Sequence, residues 1–149
     1  RPNKVLFLRG FLNMSVYRLI YVSRPFGFDT AMLNGILLDA RDINSRNDIT
    51  GALICRADMY LQLLEGPQAA VEATYDRISG DDRHMDIARL VAGPADARLF
   101  PHWAMHDDPA RSWMWTQKQV EDGAVLRATE AEIIAVFERV AAEVTAAAR

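Results

Sequence analysis

The segment 59–65, MYLQLLE, is apolar on both faces when it is drawn as a β-strand. Alternate side chains of a strand point to opposite faces, so one face would carry Met59, Leu61 and Leu63 and the other Tyr60, Gln62 and Leu64. A sheet that contains this strand must therefore be covered on both sides. Gln62 is the amide in this run, and a buried amide without partners costs about 1–3 kcal/mol. We expect polar groups to meet Gln62 in the core, supplied by the protein or by a bound polar heterocycle.

Length and composition indicate one soluble domain, with 149 residues, 50% of them hydrophobic and 25% charged. The net charge is −3 and the basic residues are dispersed, which argues against nucleic acid as a direct partner. No apolar run is long enough for a membrane span. The lone cysteine, Cys55, excludes an internal disulfide and a cysteine-based zinc site. We expect a packed thiol and a cytoplasmic protein, and we interpret residues 1–13 as a vector-derived or flexible leader.

The apolar pattern predicts the order β-α-β-β-α-β, followed by a further strand and a helical tail. Strands are expected at 16–23, 50–56, 59–65, 86–93 and 102–106, and helices at about 30–46 and 68–79. Gly93-Pro94 is expected to break the fourth strand. This order is typical of a ferredoxin-like α+β fold with an added fifth strand.

The end of the chain is predicted to form a helical extension, residues 108–149, beyond a domain at 14–107. Residues 107–127 are expected to be irregular. Thr129 and Glu132 form a capping box that opens a helix reaching about residue 146. Its apolar stripe is Ile133, Val136, Phe137, Val140 and Val144. We expect this helix to cover the outer face of the sheet, alone or together with a second subunit.

Several scattered side chains meet if this topology is correct. Tyr21 faces inward from the first strand, and Asn44 lies on the last turn of the first helix. Trp103 and Met105, two residues apart on the predicted fifth strand, would face the same side. With Gln62 they would surround a slot between the helices and the sheet. Amides both donate and accept hydrogen bonds, as the polar edge of a flavin requires.

Each of these residues alone is typical of ordinary packing, and only their combination favours a site. His102 and His106 would lie on the strand face opposite Met105, and we expect them at the surface without a role in metal binding.

The chain resembles the BLUF domains, a family of flavin-based blue-light sensors. The motifs that carry the resemblance span residues 16–107 in the family's order and spacing. They are RLIYVS with Tyr21, NSRNDITGAL with Asn44, YLQLLEGP with Gln62, DDRH with Arg83 and His84, and FPHWAM with Trp103 and Met105. One position departs from the pattern, because Ile43 stands where family members often carry a polar residue.

The resemblance implies a role for each matching residue. Tyr21 would donate an electron and a proton to the photoexcited flavin, and Gln62 would lie between Tyr21 and the flavin N5. Asn44 would hold the pyrimidine edge of the ring. The ring, ribityl or phosphate part of the cofactor would lie near Ser23, Arg83 and His84. A change at Gln62 would be reported to the fifth strand by Met105 and Trp103.

The implied cofactor is non-covalent FAD, with FMN and riboflavin as alternatives. The implied function is sensing without catalytic turnover, and we expect a homodimer or higher homo-oligomer. We expect no cyclase or phosphodiesterase domain in the chain, so that the signal passes to a separate protein.

Two other functions suit the same topology. An acylphosphatase-like hydrolase needs an anion-cradling loop with an arginine after the first strand. Arg24 lies there, but Pro25 removes a backbone donor. A small-metabolite regulatory domain would bind its ligand at a dimer interface, and it explains neither Gln62 nor Tyr21. Of the three functions, only the flavin sensor requires a yellow protein.

Overall fold

The computed structural model of the protein describes residues 16–27 and 29–147, and the predicted leader at 1–13 lies outside them. These residues form a five-stranded sheet in the order β4-β1-β3-β2-β5. The strands are Val16–Pro25 (β1), Thr50–Arg56 (β2), Met59–Gly66 (β3), His84–Ala95 (β4) and His106–Pro109 (β5). Neighbouring strands are antiparallel except β2 and β5, which are parallel. The predicted ferredoxin-like fold with an added strand is confirmed.

Two helices cover the inner face of the sheet, Thr30–Arg46 (α1) and Gln68–Ser79 (α2). The Asp29 side chain caps α1 by accepting a hydrogen bond from the Met32 N–H at 2.7 Å. Pro67 precedes α2, where its missing N–H costs no helical hydrogen bond. The buried apolar cluster on this face consists of Leu19, Tyr21, Leu37, Ile49, Leu53, Cys55, Tyr60, Leu64, Val71 and Met105.

The outer face is covered by the C-terminal part of the same chain. This part contains Gln117–Glu121 (α3), Ala124–Arg127 (α4) and Glu130–Ala147 (α5). Both hydrogen bonds of the predicted Thr129–Glu132 capping box are present at 3.1 Å. The buried outer cluster combines strand residues with α5 residues, among them Ile20, Ala52, Ile54, Leu61 and Leu63 against Ile133, Val136, Phe137 and Val140. None of the helices in the described ranges is long and apolar enough to cross a membrane.

A buried carboxylate fixes the connection between β4 and β5. Glu65 is fully buried at the end of β3. Its Oε1 accepts from the Leu99 N–H at 2.8 Å, and its Oε2 accepts from the Phe100 N–H at 2.9 Å. Burial raises the pKa of Glu65, although both backbone donors act in the opposite direction. The segment that leads to the fifth strand is therefore anchored to β3, the central strand of the sheet.

Four predictions about this region are wrong. The fifth strand forms at His106–Pro109 and not at 102–106. The chain before it makes a turn, in which the Trp103 N–H donates to the Phe100 carbonyl at 3.3 Å. Pairing with β2 therefore begins only where Ala52 lies opposite His106. Trp103 and Met105 thus precede the strand and share no strand face. The segment 107–127 contains α3, α4 and most of β5. His106 is not a surface residue, because its side chain is largely covered.

The predicted end of the fourth strand is also wrong. β4 continues through Gly93 and Pro94 to Ala95. This strand lies at the edge of the sheet, where a proline without an N–H leaves no partner strand unpaired.

Candidate functional site

A cavity of about 190 Å³ lies between α1, α2 and the inner face of the sheet. Its lining is apolar along the helices, carries two amides, and has charged side chains from α1, α2 and the segment that leads into β4. The lining residues are Tyr21, Ile36, Asp39, Ala40, Ile43, Asn44, Leu53, Tyr60, Gln62, Thr74, Arg77, Ile78, Asp81, Arg83 and His84. The predicted slot between helices and sheet is thus present in the structure.

Tyr21 and Gln62 face each other across the β1–β3 pair. The Tyr21 hydroxyl donates a hydrogen bond to Gln62 Oε1. On the other side, Gln62 Nε2 donates to Met105 Sδ at 3.3 Å. All three side chains are buried, with Tyr21 4% and Gln62 3% exposed. Both ends of the Gln62 amide therefore have a protein partner, and the Met105 sulfur, which only accepts, favours the Nε2 end.

The protonation state of Tyr21 follows from its surroundings. Burial raises the pKa of the Tyr21 phenol far above its ordinary value, and the Asp81 carboxylate raises it further. The hydroxyl keeps its proton at all physiological pH values. The hydroxyl can therefore donate, and Gln62 Oε1 is the acceptor in this hydrogen bond.

Asn44 is held at the C-terminal end of α1. Its Nδ2 donates to the Ala104 carbonyl at 2.8 Å, and its own carbonyl accepts from the Asn47 and Ile49 N–H groups. Asn44 is nearly fully buried and lines the cavity. Beside it, Ile43 places an apolar side chain in the cavity wall where the family often has a polar residue.

Arg41 is a part of this region that the sequence analysis missed. Its Nε donates to the Met105 carbonyl at 3.1 Å, and its Nη2 donates to Asp107 Oδ1 at 2.8 Å. Arg41 and Asn44 are three residues apart on α1 and lie on one side of the helix. Together they hold the backbone of residues 104–105, and this positions the Met105 sulfur against Gln62. In the sequence, the only indication of this role is that Arg41 precedes Asn44 by three residues, which places both on one side of the predicted helix.

Ser23 and His84 form a pair at the end of β1. His84 Nε2 lies 2.7 Å from the Ile78 carbonyl, and His84 Nδ1 lies 2.7 Å from Ser23 Oγ. Because a carbonyl oxygen only accepts, Nε2 carries a proton, and in the neutral ring Nδ1 accepts from the Ser23 hydroxyl. His84 reaches the cavity, whereas Ser23 lies behind it and does not.

Arg83 links the two sides of the cavity. Its guanidinium contacts Asp81 at 2.5 Å and Asp39 on α1 at 3.2 Å. The hydrogen bond from Arg83 holds the pKa of Asp81 below its ordinary value. Arg77 of α2 also lines the cavity and is exposed.

Trp103 is separated from the other predicted site residues. Its side chain is 44% exposed, it does not line the cavity, and its ring meets the His106 ring with centroids 4.9 Å apart. Met105 also lies outside the lining, behind Gln62. The structure therefore brings Tyr21, Asn44, Gln62, Arg83 and His84 to the cavity, with Ser23 and Met105 directly behind it.

The lining suits a flavin. Apolar walls from Ile36, Ile43 and Leu53 can enclose a flat ring, and the amides of Asn44 and Gln62 can meet its polar edge. Arg77 and Arg83 are cations that a phosphate-bearing chain could meet there, with Arg83 already paired to Asp39 and Asp81.

Comparison with known proteins agrees with this geometry. Residues 16–106 match the family model described as BLUF, sensors of blue light using FAD. The photoactivated adenylate cyclase subunit beta of Euglena gracilis is 35% identical over 74 residues, which are 49% of this chain and 9% of that protein. The blue light- and temperature-regulated antirepressor BluF of Escherichia coli K12 is 40% identical over 57 residues, 38% of this chain and 14% of that protein. The chain thus spans a small part of these curated relatives.

Solved structures match over most of the chain. The dark state of BlrB, a BLUF protein, has a TM-score of 0.72 at 29% identity, with 87% of this chain and 97% of that chain covered. The ground state of BlsA has a TM-score of 0.71 at 26% identity, with coverages of 85% and 87%. The family match over residues 16–106, together with this similarity, shows that the chain belongs to the BLUF family of flavin-based blue-light sensors.

Proposed function

We propose that this flavin sensor binds FAD in the cavity between α1 and α2 and uses Gln62 as its light-dependent switch. The observation that carries the proposal is the buried row Tyr21–Gln62–Met105. A reorientable amide stands there between a phenol and a sulfur, and it also lines the cavity.

We assign the Asn44 amide to the pyrimidine edge of the ring, and Arg77 and Arg83 to the phosphates. When bound, the flavin supplies absorption of blue light and an excited state that accepts an electron. FAD is favoured over FMN and riboflavin by the description of the family that residues 16–106 match. Chromatography of the flavin released by denaturation identifies it directly.

The switch itself follows from the hydrogen bonds of the chain. Loss of an electron and the hydroxyl proton from Tyr21, which a bound photoexcited flavin would accept, removes the donor that Gln62 Oε1 accepts from. The Tyr21 oxygen can then only accept, which favours the Nε2 end of the amide on that side. Exchange of Oε1 and Nε2, by rotation or by a tautomer change, would place an acceptor against Met105 Sδ, which has no proton to donate. Met105 would consequently be released from Gln62.

The output is proposed to pass to a separate protein. Relatives with the same domain are named as adenylate cyclases and as an antirepressor, so the shared domain serves different effectors. A homodimer or higher homo-oligomer stays a prediction. The hydrolase alternative has no support in the structure, since Arg24 pairs with Asp86 at 3.5 Å and lies outside the cavity lining.

Absorption spectra before and after blue light test the function. We expect a yellow protein with a small, reversible red shift, because a stronger hydrogen bond to the flavin C4=O lowers its transition energy. Gln62→Leu should bind flavin but lose the shift. The matched control is Gln68→Leu, which changes an exposed glutamine at the start of α2 and should preserve the shift. A normal red shift in Gln62→Leu contradicts the proposed switch, and a colourless protein after addition of flavin contradicts the sensor itself.

A further inference from the structure

A line of polar and aromatic contacts leads from the residues next to Met105 to the C-terminal helix. His106 follows Met105 directly and is the first residue of β5. Its ring stacks on that of Phe100 and meets that of Trp103 edge-on, with centroid distances of 5.9 and 4.9 Å. His106 Nε2 is 3.5 Å from Asp108 Oδ2. A displacement of Met105 along the chain therefore reaches Asp108 within one short strand.

Asp108 also forms an ion pair with Arg111. Asp108 is 6% exposed, and Arg111 Nη2 donates to its Oδ2 at 2.7 Å. Removing the partner of a buried charge leaves it uncompensated, which is strongly unfavourable. Arg111 must consequently follow Asp108 when β5 moves. The backbone at this point is also tied to β2 by the Ala110 N–H to Cys55 carbonyl hydrogen bond of 3.2 Å.

Arg111 connects to α5 through Glu143. Arg111 Nε lies 3.5 Å from Glu143 Oε2, and Arg139 Nε of the same helix lies 3.6 Å from Glu143 Oε1. The Arg139 guanidinium in turn covers the Trp113 ring at 4.1 Å. Glu143 is thus held between an arginine from the segment after β5 and an arginine of α5.

We propose that Asp108 and Arg111 are positioning residues that couple the segment carrying Met105 to α5. This proposal rests on the proposed function, because the movement it transmits begins with the release of Met105 from Gln62. The apolar cluster beneath α5 packs the helix onto the sheet, but its contacts are non-directional. The ion pairs from Asp108 through Arg111 to Glu143 join specific side chains, and they connect the position of α5 with the position of β5.

Hydrogen exchange of the full-length, flavin-loaded protein in darkness and under blue light tests the coupling. In the wild type, exchange should change on illumination in 103–111 and in α5. In Arg111→Met the red shift and the change near residues 103–106 should persist, while the change in α5 is lost. Arg24→Met is the matched control, because it breaks an exposed arginine–aspartate pair between β1 and β4 and should leave the response of α5 intact.

A second variant guards against a purely structural effect of Arg111→Met. Glu143→Gln removes the charge at the far end of the connection and leaves β5 untouched. Loss of the α5 response in this variant, with dark-state exchange equal to that of the wild type, supports the coupling. An α5 response of wild-type size in Glu143→Gln overturns it. Absence of a red shift in the wild type is a different result, which contradicts the proposed function and not the connection between β5 and α5.

Discussion

The hydrogen bond between Tyr21 and Gln62 should be visible in the stability of the protein as well as in its spectrum. Both groups are buried, and each satisfies the other. Tyr21→Phe leaves Gln62 Oε1 without its donor, and Gln62→Leu leaves the Tyr21 hydroxyl without its acceptor. The double variant Tyr21→Phe/Gln62→Leu places two apolar groups together and leaves neither atom unpaired.

The size of the effect follows from the cost of an unpaired buried group. Each single variant should lower the free energy of unfolding by about 1–3 kcal/mol. If the two losses were independent, the double variant would lose about 2–6 kcal/mol. Since its unpaired groups are removed together, we expect a loss close to that of one single variant or smaller. The coupling energy should therefore be about 1–3 kcal/mol.

Urea unfolding of the four proteins at one fixed concentration of free flavin measures this coupling. Flavin stabilises the folded state by RT ln(1 + [L]/Kd), so the dissociation constant of each variant is determined separately and its contribution subtracted. The reasoning is refuted if the two single losses add to within about 0.5 kcal/mol in the double variant. The side chains would then not act as a hydrogen-bonded pair in solution.

Four further outcomes follow from other parts of the structure. Asn44→Ala should weaken flavin binding roughly ten- to a hundredfold in a fluorescence titration, because two hydrogen bonds together contribute about 1–3 kcal/mol. The control is Asn47→Ala, which changes an exposed amide on the same turn. Equal affinities of the two variants would show that Asn44 only ends α1. Burial raises the pKa of Glu65 above its ordinary value of 4.5, so the folded state binds more protons and the free energy of unfolding should fall as pH rises from 4.5 through the folded pKa. Urea titrations across this range should show the decline, and Glu65→Gln should lack it; the same slope in both proteins would contradict the assignment. Burial also raises the pKa of Cys55 to about 11, so roughly one thiol in a thousand is ionised at pH 8. A disulfide reagent should therefore label Cys55 only after unfolding. Rapid labelling of the native protein would show that the thiol is accessible. Phe137→Ala removes a fully buried ring from the outer cluster and should cost about 3–5 kcal/mol in chemical denaturation, whereas a loss near zero would mean that α5 is not packed on the sheet in solution.

The sheet was predictable because its signals are local. The alternation in 59–65 separates two sets of side chains, and the structure places Leu61 and Leu63 in the outer cluster and Tyr60 and Leu64 in the inner one. The capping box at Thr129 is likewise a property of neighbouring residues. Gln62 stood out for the same reason, as an amide in a strand that is apolar on both faces.

The entry to β5 was not predictable from the same kind of signal. The segment around Trp103 has the aromatic composition of a strand, but distant groups decide its backbone path. The Gly51 N–H donates to the Trp103 carbonyl at 3.0 Å, and Asn44 holds Ala104. Arg41 could be connected with Met105 only after this path was known. Residues that act through long-range hydrogen bonds therefore could not be predicted, whereas five of the cavity-lining residues could be, namely Tyr21, Asn44, Gln62, Arg83 and His84.

The fifth strand is short, lies at the edge of the sheet and pairs with β2 over four residue pairs. Pro109, its last residue, has no N–H to contribute to a ladder. Detaching such an element exposes little surface, so the free energy of its local opening lies well below that of global unfolding and depends weakly on denaturant. The three central strands stay paired during such an opening. The protein can thus contain a cooperative unit that opens and closes on its own, separately from global unfolding.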